Sequence, residues 1–303
     1  MKQLLILSGK GGTGKTTMAS AFIRLSEAKV YADCDVDAPN LHLIRGKVLC
    51  NDDGKPVVPK KSDYFAMPKG FIDEKLCVGC GKCKEKCRFG AIENVKGKKS
   101  LQINQFACEG CGVCEFVCPE KAVSMKPVSA GELLLYENGK EVFSTAKLKI
   151  GAGTSGKLVA GVKKQMIDSQ NKNMLESNVA IVDGSPGIGC PVISSLSGVD
   201  MVLIVAEPSM SGIIDMTRIL KTASVFGTRA AVCVNKYNTN EERAGAIMEF
   251  CENHNIPFVG KVPFDNEAVK AINNGKSVVD VDCSAGRAIR QVYENTMNIL
   301  FDN

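Results

Sequence analysis

Short apolar runs alternate along this chain with longer stretches that have helical spacing. The run from Gln3 to Ser8 breaks into glycines, which is typical of a buried strand that feeds a loop, and residues 15–28 continue with the spacing of a helix. Near-continuous apolar runs return at NVAIVDG, DMVLIVAE and RAAVCVNK, with helical stretches between them. Strands that are apolar at every position are expected where both faces of a parallel sheet are covered. We therefore predict an α/β fold with a doubly wound, mostly parallel sheet.

This alternation is interrupted after the second predicted strand, Lys29 to Asp35. A proline-rich and polar stretch that includes NDDGKPVVPKKSD is typical of a linker. Residues 70–126 then contain eight of the 14 cysteines, and Asn138-Gly139 between two apolar-rich arms predicts a hairpin. We predict one discontinuous domain, residues 1–69 and 127–303, and an inserted domain, residues 70–126.

Composition and charge indicate which partners, compartment and metal chemistry to expect. Lys+Arg exceeds Asp+Glu by 38 to 33, an excess too small to indicate nucleic acid as a partner. The chain shows neither the pattern of a secretory signal nor an apolar run of about 18 residues, so we expect a cytoplasmic protein. Clustered cysteines in a reducing compartment indicate metal binding rather than disulfides.

The glycine-rich segment from Gly9 to Thr16 matches the pattern G-x-x-x-x-G-K-[ST] between a predicted strand and a predicted helix. Backbone N–H groups of such a loop close around phosphates, and the helix N-terminus adds a favourable dipole. Lys15 is expected to bind the β- and γ-phosphates and Thr16 to bind Mg²⁺. The predicted phosphate-binding residues are Gly9, Gly11, Gly12, Thr13, Gly14, Lys15, Thr16 and Thr17.

A second lysine, Lys10, stands at the start of the same loop. Its side chain is expected to point away from the phosphates of its own subunit and toward those of a facing subunit. With this lysine, GKGGTGKT resembles the deviant Walker A motif of the MinD/ParA/Mrp-type P-loop ATPases, relatives of the nitrogenase iron protein. The resemblance covers about residues 1–45 and 150–300. It implies a nucleotide-sandwiched dimer in which Lys10 reaches the ATP of the facing subunit in the manner of an arginine finger, while Lys15 is catalytic in its own subunit.

Two further segments resemble the switches of that family. ADCDVDAPN resembles switch I, which implies that Asp35 orients the attacking water; Asp33 either assists the magnesium shell or caps a helix. AIVDGSPGIG resembles Walker B and switch II. That resemblance implies that Asp183 holds Mg²⁺ through water and that the Gly187 N–H senses the γ-phosphate.

The segment VNKYN resembles a base-recognition loop. Its Asn235 side chain is expected to bind a purine edge. Guanine readers of this kind carry an aspartate shortly after the lysine, whereas this chain has Asn238, so adenine is favoured. The loop near Pro263 is predicted to cover the base. ATP and Mg²⁺ are therefore the predicted ligands of this domain.

The cysteines of residues 70–126 repeat one spacing. Cys77-x2-Cys80-x2-Cys83-x3-Cys87 recurs as Cys108-x2-Cys111-x2-Cys114-x3-Cys118, the spacing of bacterial ferredoxins with two [4Fe–4S] clusters. The fourth cysteine of each copy then binds the other cluster. We predict one cluster on Cys77, Cys80, Cys83 and Cys118, and the other on Cys108, Cys111, Cys114 and Cys87. Structural zinc is the alternative, although a triple C-x2-C-x2-C does not suit two separate tetrahedral sites. The insert is thus expected to be an α+β ferredoxin domain.

Other features leave alternatives open. Residues 71–126 carry ten Lys/Arg and seven Asp/Glu, an excess that either offsets the negative clusters, which we favour, or forms a surface for an acidic partner. Cys190 is interpreted as a small buried thiol rather than a ligand shared between subunits. The lysines of residues 147–164 are interpreted as a solvated face rather than a DNA-binding stripe, and the acidic C-terminus predicts no stable membrane anchor.

The combined pattern predicts a dimeric MgATP-hydrolysing iron–sulfur protein, either a homodimer or a heterodimer with a paralogue. In the leading hypothesis, movement of the switches is coupled to electron transfer or metallocluster assembly, and the partner is a redox protein or a metallocluster acceptor, not a nucleic acid. The alternative is a MinD/ParA-like spatial-positioning ATPase with redox-sensing clusters. A third hypothesis is a ferredoxin-like carrier whose docking is regulated by nucleotide.

Overall fold

The computed structural model describes residues 1–44, 49–51, 53–153 and 155–302. The chain divides into two compact units. The first unit comprises Met1–Lys61, Leu133–Lys147 and Ser155–Asn303, and the second comprises Ser62–Glu132 and Leu148–Thr154. The predicted insert, residues 70–126, lies within the second unit.

The strands and helices have the following bounds. The strands are β1 (Lys2–Leu7), β2 (Val30–Asp33), β3 (Lys60–Phe65), β4 (Lys69–Ile72), β5 (Ile92–Asn94), β6 (Leu101–Ile103), β7 (Val123–Lys126), β8 (Ser129–Glu137), β9 (Val142–Leu148), β10 (Val179–Asp183), β11 (Met201–Ala206), β12 (Arg229–Asn235) and β13 (Phe258–Val262). The helices are α1 (Lys15–Ser26), α2 (Leu41–Ile44), α3 (Lys82–Lys86), α4 (Val113–Phe116), α5 (Ser155–Lys172), α6 (Cys190–Leu196), α7 (Met210–Val225), α8 (Glu241–Asn253), α9 (Asn266–Asn273) and α10 (Ser284–Phe301).

The large sheet has the strand order β13-β12-β11-β1-β10-β2-β9-β8-β3. Each neighbouring pair from β13 to β9 is parallel, which confirms the predicted α/β fold with a mostly parallel sheet. The chain leaves central β1 toward β10 and β2 on one side and toward β11 and β12 on the other. A crevice at the carboxyl ends of the strands is expected at such a reversal, and it is the usual ligand site of open α/β sheets.

Some elements escaped the sequence analysis. The predicted linker contains strand β3, and helices α6 and α9 had not been predicted at all. Helix α6 is only seven residues long and begins with Cys190-Pro191, so its apolar spacing is too short to stand out. Within the described residues, no helix is both long and apolar enough to cross a membrane.

The core of the first unit fixes α1 against the sheet. Phe22 is fully buried on α1 and meets Tyr293 edge to face, with ring centroids 5.2 Å apart. Tyr31 of β2 stacks on Phe143 of β9 with ring centroids also 5.2 Å apart. Burying each aromatic or large aliphatic side chain contributes about 1.5–3 kcal/mol. This packing holds the N-terminus of α1 at the carboxyl end of β1.

The second unit contains two small antiparallel sheets, β4–β7 and β5–β6. Its core is small and includes cysteines: Cys83 and Cys108 are buried in a cluster with Ile92, Leu101 and Ile103. A core of this size stabilises a fold weakly by itself, which is the usual situation in small domains that depend on metals or disulfides.

Candidate functional site

The glycine-rich loop runs from the end of β1 into α1. Gly14 is the N-cap of α1 with φ 92°, and no side chain caps the helix, so its first N–H groups are available to an anion. A side chain at position 14 would place its Cβ 2.2 Å from Nδ2 of Asn235. Glycine is therefore required here both for its backbone conformation and for the close approach of β12.

Lys15 lies in a buried cluster of carboxylates. Its ammonium is 2.5 Å from Oδ1 of Asp183 and 4.0 Å from Oδ2 of Asp35, and it donates to the Thr16 hydroxyl at 3.3 Å. Burial lowers the pKa of Lys15, but the charge of Asp183 and its hydrogen bond outweigh that effect, so the pKa lies above its ordinary value. The lysine is thus held as a cation where β1, β2 and β10 end.

Two buried oxygens of this cluster lack a partner among the described residues. The Oδ2 atom of Asp183 accepts no hydrogen bond, and the Thr13 hydroxyl neither donates nor accepts one, although both side chains are almost completely buried. Unpaired buried oxygens carry a desolvation cost and are commonly explained by a bound ion or water. The free carboxylate oxygen of Asp183 therefore fits a Mg²⁺ site, which Thr16 and, through water, Asp183 would hold.

The two switch I aspartates differ in what they bind. Asp33 accepts three backbone hydrogen bonds at 3.0 Å each, from Asp35, Asn40 and Leu41, so both of its oxygens are engaged in closing the turn. Burial and the charge of Asp183 raise the pKa of Asp33 to about 7. Asp33 thus has the capping role, whereas the Asp35 carboxylate faces Lys15, and burial raises its pKa.

The Gly187 N–H is occupied in this structure. It donates to the carbonyl of Ser8 at 3.0 Å, and Gly187 has φ 95°. The predicted γ-phosphate sensor is therefore hydrogen-bonded to the beginning of the phosphate loop. This bond must open before the N–H can contact a nucleotide.

Lys10 points away from the buried cluster. Its ammonium forms an ion pair with Oε2 of Glu207 at 2.7 Å and approaches the hydroxyls of Ser209 and Ser211 at 3.4 and 3.5 Å. Its side chain is 39% exposed. Lys10 therefore does not join Lys15 within the same subunit.

The predicted base-recognition residue, Asn235, contacts the phosphate loop in this structure. Nδ2 of Asn235 donates to the Thr13 carbonyl at 2.7 Å, and Oδ1 accepts from the N–H of Lys236 at 3.0 Å. The Lys236 ammonium donates to the Gly12 carbonyl at 2.7 Å. The amide of Asn235 is thus engaged by the protein, and β12 is tied to the glycine-rich loop by two side chains.

The loop predicted to cover the base is closed by Asn238. Its Oδ1 accepts from the Phe264 N–H at 2.7 Å, and its Nδ2 donates to the Phe264 carbonyl at 3.3 Å. This pair of bonds joins the loop after β12 to Pro263-Phe264 at the end of β13. Asn238 therefore positions the loop near Pro263.

Two clefts in the second unit collect four cysteines each. The first is lined by Cys77, Cys80, Cys83 and Cys118, and the second by Cys87, Cys108, Cys111 and Cys114. The two copies share one backbone conformation, with φ 72° at Gly79 and Gly110 and φ 77° at Gly81 and Gly112. Burial raises the pKa of Cys83 and of Cys114, and neighbouring thiols of the same cleft raise it further.

A single zinc ion and a [4Fe–4S] cluster need different arrangements of four cysteines. Among the described residues, no group of three or more His, Cys, Asp or Glu is arranged to hold a single ion. A [4Fe–4S] cube takes one thiolate at each of four corners, so its ligands stand around a larger volume than those of one ion. Each cleft contains the four cysteines that one such cube would need as ligands. Cys190, in contrast, is exposed, so its interpretation as a buried thiol is wrong.

Comparison with known proteins identifies the family of the nucleotide site. Residues 4–278 match the model of the CobQ/CobB/MinD/ParA nucleotide-binding domain. The chain belongs to this family. An uncharacterised protein of Methanocaldococcus jannaschii is 30% identical over 96% of this chain and 95% of its own length. The septum site-determining protein MinD of Buchnera aphidicola is 26% identical over 98% of this chain and 90% of its own length.

A solved structure supports the same fold. The cell division ATPase MinD of Pyrococcus furiosus superposes with a TM-score of 0.55 at 18% identity, covering 98% of this chain and 99% of that one. Membership of the MinD/ParA family implies ATP binding and hydrolysis.

Two members of this MinD/ParA-type site were missed by the sequence analysis. Glu207, which pairs with Lys10, follows β11 in AEPS, and Lys236, which binds the loop carbonyl, stands inside VNKYN. A charged residue directly after a buried parallel strand is a usable signal for both, because the strand ends meet at the ligand crevice.

Proposed function

We propose that this protein is a MgATP-hydrolysing switch ATPase that acts as a pair of protomers and carries two [4Fe–4S] clusters in its second unit. The observation that carries the ATPase assignment is the buried cluster of Lys15 with Asp183 and Asp35 at the carboxyl ends of three parallel strands. The MinD/ParA family membership supports the same assignment.

In the proposed reaction, Lys15 exchanges part of its contact with Asp183 for the β- and γ-phosphates of ATP. Mg²⁺, bound by Thr16 and through water by Asp183, would neutralise charge on these phosphates. Asp35 accepts a hydrogen bond from the attacking water and orients it toward the γ-phosphorus. The water oxygen forms the new P–O bond as the bond to ADP breaks, the proton of the water passes to a phosphate oxygen, and phosphate and ADP are released.

The pairing of protomers rests on Lys10 and on the surface beside it. Lys10 is exposed at the rim of the site and cannot serve the phosphates beside Lys15, so its proposed target is ATP bound to a second copy. Ile188, Ile193, Met210 and Ile214 are each at least 43% exposed on switch II, α6 and the start of α7. Apolar exposure next to a charged ligand site is typical of a surface that a partner covers.

The proposal for the clusters rests on the two cysteine clefts. Each cleft is lined by the four cysteines that the ferredoxin spacing assigns to one cube. Such clusters accept and donate single electrons. The cysteines hold them, and the apolar residues Ile92, Leu101 and Ile103 beneath limit the access of water.

The family comparisons favour spatial positioning over electron transfer as the output. Similar proteins with a stated role include a septum site-determining protein and a cell division ATPase. We therefore propose ATP-dependent positioning of a partner, with the clusters as redox sensors, as the first candidate. Coupling of ATP hydrolysis to electron transfer or metallocluster assembly is the second, and the ferredoxin-type clefts are the observation that favours it.

One experiment separates these candidates. Anaerobically purified protein, Lys10→Ala and Lys15→Ala are assayed for iron content, ATP hydrolysis and reduction of oxidised flavodoxin after treatment with dithionite. Both candidates predict about eight irons per chain and hydrolysis that is lost in either variant. Flavodoxin reduction that requires MgATP and is lost in Lys15→Ala supports the redox candidate. No reduction of flavodoxin with or without MgATP supports the positioning candidate. Reduction that is unaffected by MgATP and by Lys15→Ala supports the ferredoxin-like carrier instead, and absence of iron refutes the clusters.

A further inference from the structure

Charge is distributed unevenly over the second unit. Residues 73–99 contain eight Lys/Arg and four Asp/Glu, whereas residues 101–126 contain two Lys/Arg and three Asp/Glu. Lysines that only offset the charge of two clusters are expected around both clefts equally. The observed concentration in residues 73–99, which line part of both clefts, therefore calls for a different explanation.

Five exposed lysines of this segment belong to one surface around the first cysteine cleft. We define this basic face as Lys75, Lys82, Lys84, Lys98 and Lys99. Lys82 lines the cleft itself. The backbone of Lys99 packs closely on Gly79, since a Cβ at position 79 would lie 2.3 Å from the carbonyl oxygen of Lys99. Contacts within the same segment tie Lys84 to Asn94 at 3.4 Å and Lys98 to Glu74 at 2.8 Å.

Most of this charge is free. No described carboxylate forms an ion pair with Lys82, Lys84 or Lys99. The lining of the first cleft includes Lys82 and Glu120, whereas Glu109 is the charged side chain among the described lining residues of the second. The two clefts therefore differ in a lysine at the cleft wall, and the unpaired lysines of the basic face lie beside the first.

Apolar side chains are exposed next to the basic face. Leu76 and Val78 are 50% and 45% exposed on either side of Cys77. Exposed apolar side chains next to charged ones are typical of a protein interface. A nucleic-acid site combines positive charge with aromatic platforms, and residues 73–99 contain only Phe89, which lines the other cleft.

We infer that the basic face is a docking surface for an acidic protein partner at the first cysteine cleft. The inference rests on the proposed function in one respect, because a partner at this surface would exchange electrons with the cluster proposed for the first cleft. Complementary charge steers association and fixes orientation, so the face determines which cluster a partner meets.

The test measures binding of an acidic probe protein, oxidised flavodoxin, to anaerobically purified protein. The face variant is Lys82→Glu/Lys84→Glu/Lys99→Glu, and the control with the same change of net charge is Lys172→Glu/Lys221→Glu/Lys276→Glu in the first unit. We expect the face variant to raise the Kd at least about tenfold in about 0.05 M salt and the control to raise it less than about twofold. About 0.5 M salt should remove the difference, because it shortens the screening length below the size of the face.

Several results would overturn the inference. Equal effects of the two variants mean that net charge alone governs binding. Binding of a duplex DNA that is lost in the face variant, with flavodoxin binding unchanged, assigns the face to nucleic acid. A shifted cluster potential in the face variant, with flavodoxin binding unchanged, means that the lysines only offset the clusters.

Iron content of the same preparations is judged separately. Absence of iron with charge-dependent binding retained rejects the proposed clusters and keeps the docking surface. About eight irons per chain, with binding that does not depend on charge, supports the clusters and rejects the docking surface.

Discussion

Replacement of Asn235 by alanine tests what this side chain does in the nucleotide site. Its amide bridges the Thr13 carbonyl, at 2.7 Å, and the Lys236 N–H, at 3.0 Å, and so ties β12 to the phosphate loop. The bond to Thr13 is the one of the two that spans to the loop, and such a bond contributes about 1 kcal/mol net, so its loss costs about 1 kcal/mol of loop order, or about fivefold in affinity if binding must restore that order.

The assay compares ATP with tripolyphosphate, which has no base. Since the bridge acts on the loop that wraps the phosphates, Asn235→Ala should weaken both ligands by similar factors. Asn238→Ala is the matched control: it removes the same kind of amide from Phe264, and it should leave tripolyphosphate binding unchanged. Weaker ATP binding with unchanged tripolyphosphate binding in Asn235→Ala would refute this reasoning and show that the amide reads the base.

Three further outcomes are expected. Lys163→Met should leave the carbonyls of Ser195 and Ser197 at the end of α6 without their buried ammonium donor, which lowers the free energy of unfolding by about 2 kcal/mol. Amide hydrogen exchange measures the effect: residues 190–197 should exchange faster in Lys163→Met than in the control Lys163→Arg. Asp265→Ala removes the N-cap of α9 and should cost about 1 kcal/mol at neutral pH. Hydrogen bonds from Ser284 and Glu267 hold the pKa of Asp265 at about 2, below its unfolded value, so the difference in Tm between Asp265→Ala and wild type should shrink as pH falls from about 4 toward 2; a constant difference would contradict this. Cys77→Ser/Cys118→Ser should retain about four irons per chain because both thiols line one cleft, whereas Cys77→Ser/Cys87→Ser should retain almost none; the opposite pattern would reject the assignment of the fourth cysteines.

The strands and the phosphate loop were predictable because local sequence determines them. The near-continuous apolar runs that became β1, β10, β11 and β12 favour parallel strands covered on both faces, and the glycines of the loop mark where the chain turns. The grouping of the cysteines across the two clefts also follows from spacing.

Pairings between distant segments were not predictable in the same way. The bond from Asn235 to Thr13 joins residues 222 positions apart, and its existence depends on how closely β12 approaches the loop. The ion pair of Lys10 with Glu207 likewise depends on the adjacency of β1 and β11 in the sheet. The hydrogen bond from the Gly187 N–H to the Ser8 carbonyl joins two backbone groups, so the residue types at these positions do not predict it.

The central claim, that ATP joins two protomers, is tested most directly by the mass of the protein in solution. Asp35→Ala, in which hydrolysis is expected to be blocked, is purified anaerobically and measured by analytical ultracentrifugation with MgATP and with MgADP. The account predicts a dimer with MgATP and a monomer with MgADP. The same mass with both nucleotides would contradict it.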